Sequence, residues 1–548
     1  MPTNSLLINY NDCPSSLDSF IPDNGLANLA GCLIARGNRT EILDYSTIQT
    51  LMDFRPKHIS RKLRRAFTRY KLETFIFGKM LRGSYEEFRK IDDDIRLCRD
   101  NKIGAVVKDI SARIDAKRPD FIAFKLWSGE GFLGSARIAG EIKKRYPQLK
   151  IFGGGPHAEV YGEKIFRYTK DFDILCAGEG EEIIVKLSDY AEGKIPLADI
   201  PSIIYKNNGK IVSNPVKFID DLNRISDPVY DEDVYPAMKG DNKLKIIMVE
   251  ESRGCPYACN FCIHRIKSGN KWRVRRVPDV IDTIKKLSGR INTTAFKFSG
   301  SNTPHFFRKE LARRLIDDKI DIKYVGFADT RQPGEEDYAL LKRSGCVSLF
   351  FGVESADPYL LEHMMNKNTD PERIRESLKR ARGEGIMTAA SIIAPCPGEK
   401  EDSVKKTIEM LIDAKPHGVS VYPPVCYPRT KWFLESGKFN FELMPDAEDK
   451  MMTYTIKFTM PPPLLAPVPY KVNGKDFYEM MDEVVAASRL LEKGGITTGL
   501  NDSLLFMAYM LKIKPRMIKK LNQQGIILGE INRVKQIIAD FNSAARVR

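Results

Sequence analysis

A chain of 548 residues exceeds one ordinary domain, so two to four domains are expected. With 43% hydrophobic and 29% charged residues it is a packed protein rather than a disordered one, and no apolar run approaches the roughly 18 residues that cross a bilayer. The net charge of +15 admits nucleic acid, anionic lipid or an acidic ligand. No nucleic-acid module accompanies that charge, so nucleic acid is not an expected partner, while contact with a membrane surface stays open. The opening Leu6-Leu7-Ile8-Asn9-Tyr10 reads as a strand with no secretory leader, which predicts a cytoplasmic protein. Thiols there stay reduced, so a tight group among the ten cysteines points to metal rather than disulfides.

Residues 1–195 alternate strand-length apolar runs (Leu6–Asn9, Thr40–Asp44, Phe121–Lys125, Lys150–Gly153, Asp173–Cys176) with helical patterns such as Gly25–Arg36 and Gly131–Lys144. That alternation predicts a parallel, Rossmann-like sheet that binds ligands at its strand carboxyl ends. The glycines fall there: Gly153-Gly154-Gly155-Pro156-His157 and Gly178-Glu179-Gly180-Glu181. An insertion interrupts the pattern at about 50–105, with Arg61, Lys62, Arg64, Arg65, Arg69 and Lys71 crowded into a basic helical stretch over 51–82. It is either a solvated face or a docking surface for an acidic partner, a nucleic acid or a membrane surface. Residues 196–245 read as a connector with a hairpin about Asn207-Asn208-Gly209.

A second α/β block spans 246–440, with strands at Ile246–Glu250, Ala295–Ser299, Tyr324–Ala328, Ser348–Val353, Thr388–Ile393 and Gly418–Tyr422. Six such units predict a partial (β/α)6 barrel of the TIM type. From 441 to 548 the pattern becomes mostly helical, and this segment is expected to close the barrel mouth. Its Phe458, Met460, Tyr470, Phe506, Met507 and Tyr509 are expected in the core rather than on a substrate.

The chemistry sits in Arg253-Gly254-Cys255-Pro256-Tyr257-Ala258-Cys259-Asn260-Phe261-Cys262. Three thiolates this close suit a four-iron cubane with one iron left open. Zinc would want a fourth ligand and paired C-x2-C spacings, with His264 the nearest candidate.

C-x3-C-x2-C after the first strand of a six-unit block resembles the radical S-adenosylmethionine superfamily. Lys271-Trp272-Arg273-Val274-Arg275, Phe351-Gly352-Val353-Glu354-Ser355-Ala356 and Ala394-Pro395-Cys396-Pro397-Gly398-Glu399 extend the resemblance. It implies that Cys255, Cys259 and Cys262 hold a 4Fe–4S cluster, and that Phe261, Gly300, Ser301, Glu354 and Ser391 meet S-adenosylmethionine. The second-strand motif departs from the family, since Ser299-Gly300-Ser301-Asn302 lacks the usual acid. Arg429 stands where relatives often show glycine, as an anion contact or a surface residue.

The N-terminal half is similar to the flavodoxin-like cobalamin-binding domain fused to many members. The resemblance implies contacts from Asn24, Gly25, Leu126, Trp127, Ser128, Gly153, Gly154, Gly155, His157, Gly178, Glu179 and Gly180. The D-x-H-x-x-G motif is absent, so no histidine ligand to cobalt is expected. Together these resemblances imply a cobalamin-dependent C-methyltransferase acting on an unactivated carbon of a peptide, lipid or secondary metabolite, with an external flavodoxin- or ferredoxin-like electron donor. The alternative is a non-methylating member that performs cyclisation, rearrangement or oxidation. No catalytic side chain beyond the cofactors is assigned. If methyl transfer is the reaction, the strand carboxyl ends of both sheets must face each other, with the loops after Phe124, Phe152 and Cys176 opposite the cysteine loop.

Overall fold

The structure, a computed structural model, describes residues 2–332, 336–454 and 462–547. Phe458 and Met460 lie outside the described residues. Strands β1 (Asn4–Asn9), β2 (Arg39–Asp44), β3 (Phe121–Lys125), β4 (Lys150–Gly154) and β5 (Ile174–Cys176) form a parallel sheet in the order β2-β1-β3-β4-β5. This is the flavodoxin-like order. Leu6, Leu7 and Ile8 are all fully buried, as a strand covered by helices on both faces requires. The hairpin β6 (Ile203–Asn207) and β7 (Lys210–Ser213) turns on Asn208 and Gly209, both at positive φ. It pairs antiparallel with β5, so the segment expected to be a connector supplies the last two strands of the first sheet.

The second sheet comprises β8 (Ile247–Val249), β11 (Ala295–Phe298), β12 (Lys323–Ala328), β13 (Cys346–Glu354), β14 (Met387–Ile393) and β15 (Gly418–Tyr422). A short ribbon of β9 (Ser252–Arg253) and β10 (Arg273–Val274) stands beside it. The order β15-β14-β13-β12-β11-β8 is parallel throughout, as expected of a partial barrel left open between β8 and β15.

The C-terminal helices correct one expectation. Asp502–Met510, Pro515–Asn522 and Ile531–Ala544 do not cover the mouth. Leu504, Leu505 and Met507 pack with Ile246, Ala295, Val325, Val347 and Ala389, all at the amino-terminal halves of the barrel strands. An open six-stranded barrel cannot fill its own lower interior, and these helices supply the missing apolar volume. Phe506, Met507 and Tyr470 are buried as expected, whereas Tyr509 is exposed under the ammonium of Lys342.

Candidate functional site

The cysteine loop leaves β9 through Gly254, whose φ is +83°. A side chain there would meet the Lys271 carbonyl oxygen at 2.0 Å, so only glycine permits the curl. Three anchors fix the loop. Asn260 donates its backbone N–H to Met365 and its side-chain amide to Met364. Asn366 donates to the Ala258 carbonyl at 2.9 Å. Trp432, fully buried, donates its indole N–H to the Met364 carbonyl at 2.9 Å and packs 5.4 Å from Phe261. Burial pushes the thiols of Cys255 and Cys262 upward, the second to about 12, so proton loss is costly until a metal replaces the proton.

All three cysteines open into one cavity of about 240 Å3 at the barrel mouth. Phe261, Ser301, Glu354, Asp329, Arg331 and Lys367 share its wall. A register shift in the β13–β14 pairing turns Glu354 toward it, and Glu354 holds φ +63°, a conformation non-glycine residues adopt at a cost of about 1–3 kcal/mol. Its carboxylate is clamped by Lys367 at 2.8 Å and Ser391 at 3.1 Å. Ser391 thus acts behind Glu354 rather than on the cavity. Sequence reasoning missed Lys367 and also Arg331, which donates to the Cys259 sulfur at 3.1 Å and lies 3.9 Å over the Tyr257 ring. Arg331 outweighs the burial of Asp329 and holds that carboxyl below its ordinary range. Neither basic residue belongs to a motif, so no local signal marked it.

Gly300 also lies behind the wall. A side chain there would strike Glu251 and Ser252 at 2.4 and 2.1 Å. Glu251, buried behind Gly300 and absent from the cavity wall, accepts from the Gly300 N–H at 3.2 Å and from Thr303. Burial raises the Glu251 carboxyl to about 7 from 4.5. Below pH 4.5 the acid is neutral in both states. Between 4.5 and 7 the unfolded chain ionises while the folded one stays protonated, so stability falls over that window by about 3 kcal/mol. Glu251→Gln is expected to remove that share of the slope: the variant's melting temperature should gain on the parent's as pH rises from 5 to 8. Parallel pH profiles would refute this.

At the first sheet, the loop after β5 lies against the β9–β10 ribbon that flanks the cysteine loop. Glu181 takes a fork from Arg253, with one bond of 3.2 Å, and Glu179 takes one from Arg273 at 2.8 and 2.7 Å. Arg429, at φ +70°, donates to the Glu159 carbonyl and so bridges the two sheets instead of facing an anion. No such contact joins the loop after β3 to the cysteine loop among the described residues. Several expected ligand contacts have other uses. Leu126 is fully buried against the Gly153 position, and its backbone N–H and carbonyl are taken by Gly154 and His157. Gly178 and Gly180 make room for Ser202 and Leu29 at 3.0 Å, and Gly25 for Lys125 at 3.2 Å. Asn24 accepts from Tyr230 at 3.1 Å. Trp127, half-buried, donates to Asn9 at 2.7 Å beneath the Lys125 ammonium, and Ser128 beside it is half-buried too. Gly154 lies 3.2 Å, by its absent Cβ, from that of Cys176, and Gly155 turns at φ +100°. His157 is buried between Phe132 and Tyr161, 4.2 and 4.6 Å away, and both ring nitrogens lack a partner.

Comparison with known proteins places names on this geometry. Residues 249–411 match the radical SAM superfamily and residues 78–188 the B12 binding domain. An uncharacterized methyltransferase of Pyrococcus horikoshii is 28% identical over 50% of this chain and 59% of its own length. The anaerobic magnesium-protoporphyrin IX monomethyl ester cyclase of Rubrivivax gelatinosus is 26% identical over 57% of this chain and 60% of its own. The chain thus spans about six tenths of the length of these relatives. Among solved structures, the radical S-adenosylmethionine methyltransferase TsrM of Kitasatospora setae, with tryptophan and a SAM analog bound, shares the fold. Its TM-score is 0.56, at 17% identity, over 79% of this chain and 75% of that one.

The matched domains imply a 4Fe–4S cluster, S-adenosylmethionine and cobalamin, and the residues present fit them. Among the described residues no three His, Cys, Asp or Glu side chains converge on a single ion. A cubane asks for no such convergence, because each thiolate takes a different iron. No fourth cysteine lines the cavity, which leaves the polar wall at Ser301, Glu354 and Lys367 for a zwitterionic ligand. In the first domain, Tyr10 Oη, Ser135 Oγ and both His157 nitrogens are buried without partners around the first turns of Glu130–Arg145. Unpaired buried polar groups suit a ligand as rich in amides as cobalamin.

Proposed function

We propose that this chain, a member of the radical S-adenosylmethionine superfamily with a B12 binding domain ahead of its radical domain, is a C-methyltransferase acting on an unactivated carbon. The observation that supports this reading is the pairing of the loop after β5 with the two strands that flank the cysteine loop, Glu181 with Arg253 and Glu179 with Arg273. Two cofactors can address one substrate atom only if both strand-end faces open on a common space. When bound, the cluster supplies one-electron cleavage of S-adenosylmethionine, and cobalamin supplies methyl carriage. The side chains hold and orient. Cys255, Cys259 and Cys262 fix three irons, while Glu354, pinned by Lys367 and Ser391, meets the polar part of S-adenosylmethionine. Phe327 and Phe350 keep part of the cavity wall apolar, which lowers the water content where a radical would react. Trp127, Ser128 and His157 line the cobalamin side.

A second reading, cyclisation or oxidation without methyl transfer, is favoured by the similarity to the protoporphyrin ester cyclase. Incubating the reconstituted protein, cobalamin and S-adenosylmethionine with cell extract separates the two. Methyl transfer is expected to give S-adenosylhomocysteine alongside 5′-deoxyadenosine. Formation of 5′-deoxyadenosine alone would overturn it in favour of the second reading.

A further inference from the structure

The insertion between β2 and β3 presents an exposed apolar tip. The helix Lys57–Phe77 is held to the domain by buried Ile59, Leu63 and Ala66, and Phe67 packs 5.0 Å from Phe88. Its last turns reverse this burial. Phe75 is 80% exposed, Leu72, Ile76 and Phe77 are each 57% exposed, and Leu81 just beyond the Gly78 cap is 38% exposed. Isolated exposed apolar residues are ordinary, but five large ones within ten positions form a patch that needs an occupant.

The spacing and charge indicate which occupant. A helix that docks in a protein groove presents residues three and four apart on one face. Phe75, Ile76 and Phe77 are consecutive, about 100° apart around the axis, and so point in three directions from the helix end. A fluid apolar phase accepts that shape and a fixed groove does not. The charge around the tip is positive and largely unopposed. The helix has one acidic residue, Glu73, which is buried and accepts from Arg69, Ser84 and the Leu81 N–H. Lys62, Arg64 and Arg82 reach carboxylates of Asp94, Glu530 and Asp476. Lys71 and Lys79, which flank the tip, are exposed and reach none among the described residues, while Arg61 and Arg65 stand roughly 15–24 Å back along the helix.

We propose that this helix tip anchors the protein to an anionic lipid bilayer, with Phe75, Ile76 and Phe77 entering the acyl boundary and the basic side chains meeting the headgroups. The inference is independent of the reaction catalysed, and no helix among the described residues is long and apolar enough to cross a membrane. The test is flotation of the full chain with vesicles of equimolar phosphatidylcholine and phosphatidylglycerol, and with phosphatidylcholine alone. The chain should float with the anionic vesicles, release at high salt, and stay largely unbound with the neutral ones. Serine at Phe75, Ile76 and Phe77 together should weaken partitioning by on the order of tenfold or more, with an unchanged melting temperature because these side chains are exposed. Glutamate at Lys71 and Lys79 should weaken binding to the anionic vesicles by on the order of tenfold or more. A parent protein left unbound by anionic vesicles, or one that floats equally with neutral ones, would overturn the proposal. So would folded serine or glutamate variants that still bind like the parent.

Discussion

Replacing Cys255, Cys259 and Cys262 together by alanine is expected to abolish iron binding and all formation of 5′-deoxyadenosine. The parent, reconstituted without oxygen, should hold about four irons and absorb as a brown thiolate-bound cluster. The loss follows from the loop geometry. These three thiols share one cavity, and no other cysteine lines it to take over. The variant should still fold, because Asn260, Asn366 and Trp432 anchor the loop through backbone carbonyls rather than through sulfur. Single alanine replacements of Cys13, Cys32, Cys98, Cys176, Cys346 and Cys426 should keep the iron. Those among them that are buried should lose some stability through lost packing. A triple variant that retains a four-iron spectrum would refute the assignment, and one zinc per chain with no colour in the parent would replace it.

Arg253→Met is expected to destabilise the fold by about 3–5 kcal/mol, the usual cost of stranding one partner of a buried ion pair. Arg253 is 7% exposed and contacts Glu181, Glu250 and Glu179, the last at 3.6 Å. Glu181 is buried against it, and although burial alone would raise that carboxyl, Arg253 keeps it below its ordinary range. Without the guanidinium the Glu181 carboxylate keeps only the weaker pull of Arg273, so its affinity for a proton must rise. The variant should therefore be worst at neutral pH and recover part of its deficit as pH falls into the carboxylate range. Urea unfolding at pH 5 and pH 7.5 would measure this. Arg253→Lys should fall between parent and Met, because it keeps the charge and loses the fork. Adding Glu181→Leu to Arg253→Met should recover stability, because the stranded charge goes with it. A loss below about 0.5 kcal/mol at pH 7.5 would mean the network is solvated and contributes little. Since Arg253 stands two residues before Cys255, iron content per folded chain should fall as well.

The sequence by itself determined whatever depends on near neighbours along the chain. The cysteine spacing and Gly254 define a cluster loop because their geometry closes within ten residues. The alternation of apolar runs and helical periods gave both parallel sheets, down to Phe121–Lys125 and Gly418–Tyr422 at their observed limits, because burial on both faces leaves a local pattern. Asn208-Gly209 gave the hairpin for the same reason, though not its pairing with β5. Tertiary structure decided what joins distant segments. Glu181 meets Arg253 across 72 positions, and Glu251 reaches Gly300 across 49. Arg331 comes to Cys259 from the loop after β12. No periodicity encodes such pairs, since each residue reads alone as an ordinary charge. The same limit misplaced the C-terminal helices. Their apolar faces announce burial but not against what, and only the open barrel, lacking two strands of its own, shows that the space to be filled lies beneath the site rather than above it.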